Sequence, residues 1–274
     1  MQNQTLYWID GKIVAEAPKI SCMDLGVTRG YGVFDFFRTY KKVPFYLEEH
    51  LSRFYSSAYQ ADLLVPYSKE EIIAGINELI CNHSSEDIGI RLYLTAGSSS
   101  HIFFPESNPS FWMVATKISN INISSVSLKT IYVQRDLPSI KSLNYMAAII
   151  SARKFSKEGF DDIVYMNDKN ELLESSTSNL FFIKNNRLIT ANENILEGIT
   201  RSVILEIAKG NFEIELRSIT LSELCDVDEC FITSTTKEIC SVSRIDNIEF
   251  KNTQTKFLQS LFRIHADNFC SIKI

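Results

Sequence analysis

The sequence predicts an α+β protein of two domains, a small N-terminal domain of mixed sheet and helix over residues 1–118 and a larger strand-rich domain over residues 128–274. Three observations lead there. The 274 residues exceed the usual reach of one compact core. Short strand-like runs joined by turn residues mix with segments of helical period, without repeats or low-complexity tracts. The polar stretch from Ser119 to Ser127 lacks the apolar content to bury itself, so residues 119–127 read as an interdomain linker.

Leu6 to Ile9 and Lys12 to Val14 flank Asp10-Gly11, a dipeptide suited to the positive backbone angles of a tight hairpin. After Gly30 and Gly32, Val33 to Tyr40 is aromatic-rich and strand-like, and a turn containing Pro44 separates it from a helix over Leu47 to Ala61. In that helix Leu47, Leu51, Phe54 and Ala58 form the apolar stripe, while His50, Arg53 and Ser57 share a different face, which leaves Arg53 outside the core. Ser68 and Glu71 form a capping box that starts a second helix reaching Cys81. Gly89 to Thr95 and Trp112 to Thr116 are strands.

Beyond the linker, Leu128 to Val133 is a strand, and Ser142 is placed to cap a helix from Leu143 to Glu158 that Gly159 stops, with Lys141 at its entrance. Two hairpins follow. Ile163 to Met166 and Leu172-Leu173 flank the turn Asn167 to Asn170; Leu180 to Ile183 and Leu188 to Thr190 flank Asn185-Asn186. A helix runs from Thr200 to Lys209, strands lie near Glu213 to Arg217, Cys230 to Thr233 and Glu238 to Ser243, and a final amphipathic helix carries Phe257, Leu258, Leu261, Phe262 and His265.

Composition narrows the function. With 28 basic and 33 acidic residues the net charge is −5, too mixed for nucleic acid or an anionic membrane as partner, so a small-molecule substrate is expected. The six cysteines are scattered, without a Cys-x-x-Cys pair or clustered histidines, so neither a metal site nor a disulfide framework is expected, and free thiols in a reducing cytoplasm are the simpler reading. The N-terminus has no signal-peptide pattern and no stretch reaches membrane-spanning length, so the sequons at Asn82 and Asn122 carry no meaning.

Chemistry comes from five segments. Lys141, desolvated near a helix entrance, would offer a free amine as nucleophile and proton shuttle. Glu174, at a strand end, could keep a neighbouring ring nitrogen protonated. Gly198-Ile199-Thr200 opens a helix whose free amides favour an anion. Ser234-Thr235-Thr236 adds hydroxyl and amide donors, and Arg53 a charge-assisted fork. Together these supply what pyridoxal phosphate requires: an amine, an acidic partner for the pyridine nitrogen and anchors for a dianionic phosphate. Taken singly, each also has an ordinary structural reading: a solvated lysine or arginine, an exposed strand-end carboxylate, a plain glycine junction, a polar turn.

Their order along the chain resembles the class IV, or fold type IV, pyridoxal phosphate enzymes, which include branched-chain aminotransferases, D-amino acid aminotransferases and aminodeoxychorismate lyases. The likeness spans nearly the whole chain and is carried by Glu49 to Arg53, Ile140 to Tyr145, Glu174 to Leu180, Leu196 to Arg201 and Thr233 to Ile239. The resemblance implies pyridoxal 5'-phosphate as cofactor, Lys141 as the Schiff-base lysine, Glu174 as the pyridine-nitrogen partner, and Arg53, Ile199, Thr200, Ser234 and Thr235 as phosphate contacts. Leu196 would pack beneath the ring and Tyr145 reach its hydroxyl, although its spacing from the lysine is one residue shorter than in the branched-chain members. It also implies a homodimer whose active site lies in the cleft between domains, the larger one holding the cofactor.

For substrate, the resemblance puts Phe34, Arg38 and Arg91 on strands that face it. The Arg-x-His pair of the D-amino acid enzymes is missing, since Gly97 to Phe104 holds His101 and no arginine. Gly32 to Arg38 is closer to the branched-chain pattern, and Phe36, Phe37, Phe103 and Phe104 would suit an aliphatic side chain or simply be core. Thr236 completes the substrate candidates. The expected activity is transamination of a branched-chain or other aliphatic amino acid with a 2-oxo acid. Its alternatives are an aminodeoxychorismate lyase forming 4-aminobenzoate and pyruvate, whose characteristic threonine is not evident, and a non-catalytic binding protein that kept the fold.

Overall fold

The computed structural model describes residues 5–106, 108–118 and 124–272. The chain forms two compact units, one of Met1–Asn120, Ile140–Asn144 and Phe269–Ile274, the other of Ile121–Ser139 and Tyr145–Asn268.

In the first unit, β1 (Leu6–Ile9) and β2 (Lys12–Val14) form the expected hairpin, with Asp10 and Gly11 at φ 50° and 75°. Then come α1 (Leu25–Arg29), β3 (Gly32–Tyr40), β4 (Val43–Pro44), α2 (Leu47–Gln60), α3 (Lys69–Asn82), β5 (Ile88–Thr95) and β6 (Ser110–Lys117). The strands pair antiparallel in the order β2-β1-β6-β5-β3-β4. Period-two alternation sends Val33, Phe37, Ile90, Leu92 and Met113 into a core with Leu51, Phe54, Ile72, Ile76 and Leu79 of α2 and α3. The capping box of Ser68 and Glu71 is present in both directions. Gly75 lets α3 lie directly on Trp8, since a Cβ there would sit 2.5 Å from the indole nitrogen.

The second unit is built of β7 (Val126–Tyr132), α4 (Met146–Ser156), β8 (Asp162–Met166), β9 (Glu171–Ser175), β10 (Asn179–Lys184), β11 (Arg187–Thr190), α5 (Ile199–Ile207), β12 (Glu213–Leu216), β13 (Ile219–Thr220), β14 (Glu229–Ser234), β15 (Glu238–Ile245), β16 (Ile248–Glu249) and the start of α6 (Thr253–Ile272). Strands β10-β14-β15-β7-β8-β9 follow one another by hydrogen bonding, and β9 pairs back to β10 at Glu174 and Asn179, so the six close into a barrel. Both Asn185 and Asn186 are left-handed (φ 50° and 64°), the backbone that a two-residue hairpin needs. Leu128, Val164, Leu172, Phe182, Ile232 and Val242 fill one side of these strands. On α6, Leu258 and Phe262 are buried while Phe257 stays partly exposed.

Three expectations change. The strand expected from Leu128 begins at Val126, inside the stretch read as linker, because Val126 and Ser127 pair with β15; residues 119–123 of that stretch lie outside the described ones. The helix expected from Leu143 begins at Met146, with Tyr145 as N-cap. Ser142 caps nothing: it bridges Val33, while the Phe34 amide donates to the Lys141 carbonyl and the Leu143 amide to that of Gly32. Pairing with β3 holds Lys141 in extended chain, five residues ahead of α4 rather than at its mouth. Among the described residues, no helix is long and apolar enough to cross a membrane.

Candidate active site

In the first unit the predicted residue Arg53 meets a carboxylate that the sequence did not single out. Asp35 points to the buried face of β3, between Val33 and Phe37, and is fully buried. The Nε and Nη2 of Arg53 donate to its two oxygens at 2.8 Å each, a bidentate fork, and His50 Nδ1 lies 2.7 Å from Oδ1. The polar face of α2 is therefore buried as well as its apolar stripe: His50 and Ser57 are buried and the Arg53 side chain is only 12 % exposed. Burial alone would raise the Asp35 pKa, but the Arg53 guanidinium and the His50 hydrogen bond overrule it and hold the carboxyl well below its usual range. Burial pushes the His50 pKa down, helped by the charges of Arg53 and Lys141 and opposed by Asp35. A neutral ring donating from Nδ1 to Asp35 satisfies this, so the 3.2 Å approach of Arg53 Nη2 to the same nitrogen is proximity rather than a second bond.

The Lys141 backbone is fixed on both sides, its carbonyl accepting from Phe34 and its amide donating to Ser57 Oγ at 3.2 Å. Its Nζ sits 4.6 Å over the Phe34 ring. Phe34 opens a ladder on the outer face of the sheet: it stacks on Tyr93 at 6.1 Å, and Tyr93 stacks on Trp112 at 5.1 Å. Arg91 shares that face, 4.6 Å over Phe36 and 3.4 Å from Thr116 Oγ1. Arg38 is buried and stacks on Tyr40. His101 is exposed in its loop, where Nδ1 accepts from the amides of Phe103 and Phe104, and both of those aromatics are largely exposed.

In the second unit, Glu174 is the penultimate residue of β9 and is 4 % exposed, not the solvated strand end that composition alone favours. Arg135 Nη1 donates to its Oε1 at 2.7 Å, and the Leu196 amide and Asn179 Nδ2 face Oε2 at 3.1 and 3.4 Å. Asn179 also donates to the Leu196 carbonyl at 2.7 Å, which ties Leu196 to the strand carrying the carboxylate partner. Gly198 approaches the same amide closely: a Cβ there would lie 2.0 Å from Asn179 Oδ1. Beside Arg135 and Glu174, Tyr165 has its phenol pushed up to about 12, chiefly by burial, and stays neutral. Tyr145 is half-buried against the cluster of Ile163, Tyr165 and Leu173. Gly198 is the N-cap of α5, which puts the amides of Ile199 and Thr200 in its first turn, and α5 packs on β14. Ser234 ends β14, and Thr235 and Thr236 form the turn that follows, with Ser234 Oγ 3.3 Å from Thr236 Oγ1.

Asp35, His50, Arg135 and Asn179 are the residues that sequence reasoning missed. Asp35 had a signal, a carboxylate at an inward position between Val33 and Phe37, with His50 and Arg53 three apart on the next helix. Arg135 had none, since it stands in irregular chain. The donor set suits pyridoxal phosphate: a buried, oriented carboxylate for a basic ring nitrogen, and helix-start amides with turn hydroxyls for a dianion. Among the described residues no cluster of His, Cys, Asp or Glu is arranged to hold a metal, and no disulfide joins any of the six cysteines.

Residues 32–245 match the amino-transferase class IV family. A Methanocaldococcus jannaschii protein provisionally named a branched-chain-amino-acid aminotransferase is 33% identical, over 93% of this chain and 94% of its own. The D-alanine aminotransferase of Listeria monocytogenes is 31% identical over 85% of each chain. Among solved structures, the branched-chain aminotransferase of the thermophilic archaeon Thermoproteus uzoniensis, with norvaline, superposes with a TM-score of 0.88 at 25% identity, covering 96% of this chain and 95% of that one.

Proposed function

This chain belongs to the class IV aminotransferase family, and from that premise we propose that it passes the amino group of a branched-chain or other aliphatic amino acid to a 2-oxo acid, as a cytoplasmic homodimer. Pyridoxal 5'-phosphate is the cofactor, and when bound it supplies the electron sink that lets an amino acid lose its α-proton. The chain's own residues do the rest. Lys141 would hold the cofactor through Nζ, and the same amine would take the α-proton and return it as general base and acid. Glu174, held by Arg135, Asn179 and the Leu196 amide, keeps a proton on the pyridine nitrogen. Arg53, aimed by Asp35, and Ile199, Thr200, Ser234 and Thr235 hold the phosphate; Tyr145 and Leu196 orient the ring. Phe34, Arg38, Arg91, His101 and Thr236 receive the substrate.

The observation that carries this reading is the Lys141 ammonium lying over Phe34 at the head of the Phe34–Tyr93–Trp112 ladder. An amine poised on a broad apolar surface suits an aliphatic side chain. The test has two arms. Borohydride reduction with bound pyridoxal phosphate should label position 141 alone, and label elsewhere removes Lys141 from its role. A panel of L- and D-amino acids with 2-oxoglutarate or pyruvate should give fastest turnover with an aliphatic donor; pyruvate from aminodeoxychorismate without an amino acceptor would overturn the transaminase in favour of a lyase.

A further inference from the structure

The side chain of Lys237 ties together two turns of the second unit. Its Nζ donates to Thr177 Oγ1 at 3.1 Å and to Ser178 Oγ at 3.5 Å, so it reaches from the turn between β14 and β15 to the turn between β9 and β10. The register of Asn179 against Thr233 sets those two turns side by side at one end of the barrel. One carries Ser234, Thr235 and Thr236; the other leads from Glu174 to Asn179.

Two details make this more than a surface lysine. Among the described residues the ammonium's side-chain partners are both neutral hydroxyls, so its charge is oriented without being cancelled. Its own turn is also held in a demanding shape. Glu238 is left-handed at φ 54°, a conformation that a side chain opposes, and the Lys237 amide donates to Ser234 Oγ at 3.2 Å. Backbone and side chain of one residue thus fix both the Ser234 hydroxyl and the spacing of the two turns.

We propose that Lys237 is a positioning residue for the phosphate end of the cofactor: its ammonium braces the two turns, presets the donors of Ser234 and Thr235, and leaves a positive field where a dianion binds. The inference rests on the reading of Ser234 and Thr235 as phosphate contacts. The experiment compares pyridoxal phosphate with pyridoxal, which lacks the phosphate, binding to the full-length apoprotein as followed by quenching of tryptophan fluorescence. In K237M the preference for pyridoxal phosphate over pyridoxal should shrink about tenfold, the size of one charge-assisted contact, while pyridoxal binding moves less than about twofold. K237R, which keeps the charge, should stay within about threefold of wild type. An unchanged preference in K237M, or a parallel loss of both ligands, overturns the inference. Wild-type protein that does not prefer pyridoxal phosphate at all overturns instead the phosphate-site reading beneath it.

Discussion

Replacing Asp35 by Asn should unfold this protein far more easily than replacing a surface carboxylate. The change keeps the shape of the side chain but removes the charge that faces Arg53 through two 2.8 Å bonds, where Asp35 is 1% and Arg53 12% exposed. Removing one partner of a buried pair leaves the other uncompensated, at a cost of about 3–5 kcal/mol. Asn still accepts one bond from the guanidinium, which places D35N near 3 kcal/mol, or roughly 6–12 °C of Tm for a chain of this size. Scanning calorimetry on the apoprotein reads this directly. The double substitution D35L/R53M fills the same volume with apolar atoms and should recover most of the loss, since the damage lies in the stranded charge. A D35N protein melting within about 2 °C of wild type, or a double variant losing the sum of the two singles, would refute the reasoning.

The His50 ring adds a pH dependence. Its folded pKa lies below the unfolded one, so the unfolded chain binds more protons and stability falls as pH drops below about 6.5, by up to about 1.4 kcal/mol per pH unit. Asp35, depressed in the fold, contributes stability that is present above about pH 4 and is lost as pH falls further. Between pH 7.5 and 5, wild-type Tm should therefore decline more steeply than that of H50N; the opposite order would show that His50 is protonated in the fold. Glu174→Gln should keep the cofactor bound but slow turnover by about 10²-fold or more in a steady-state assay, and a near-normal rate would remove Glu174 from the mechanism. Gly198→Ala places a methyl 2.0 Å from an Asn179 oxygen whose amide is already committed to Leu196, and should cost about 1–3 kcal/mol in denaturant unfolding; a neutral result would mean the α5 entrance shifts freely.

Local order was largely legible. The Asp10-Gly11 and Asn185-Asn186 hairpins, the Ser68 capping box and the α2 stripe all follow from short-range rules, and each appears where the residues put it. Barrel closure was not, because the pairings of β7 with β15 and β9 with β10 depend on contacts that no local period encodes. The α4 start failed for a related reason. Ser142 and Leu143 have the composition of a helix entrance, yet β3 offers edge hydrogen bonds that an extended segment can take up, and tertiary pairing won over propensity. At the candidate site, charged types could be found by motif, but their environments could not. Arg53 read as lying outside the core because its face of α2 is polar, and only the carboxylate waiting across from it on β3 explains why that face is buried.

The barrel's seam lies where its candidate acid stands. Strand β10 runs against β14 over five residue pairs but meets β9 at a single one, Glu174 with Asn179. The same two residues therefore close the cylinder, and under the proposed function Glu174 would also hold a ligand's nitrogen. Amide hydrogen exchange at residues 174–179 should slow when that ligand is in place, and mutational drift at either position would be felt at once as altered chemistry and as a looser cylinder.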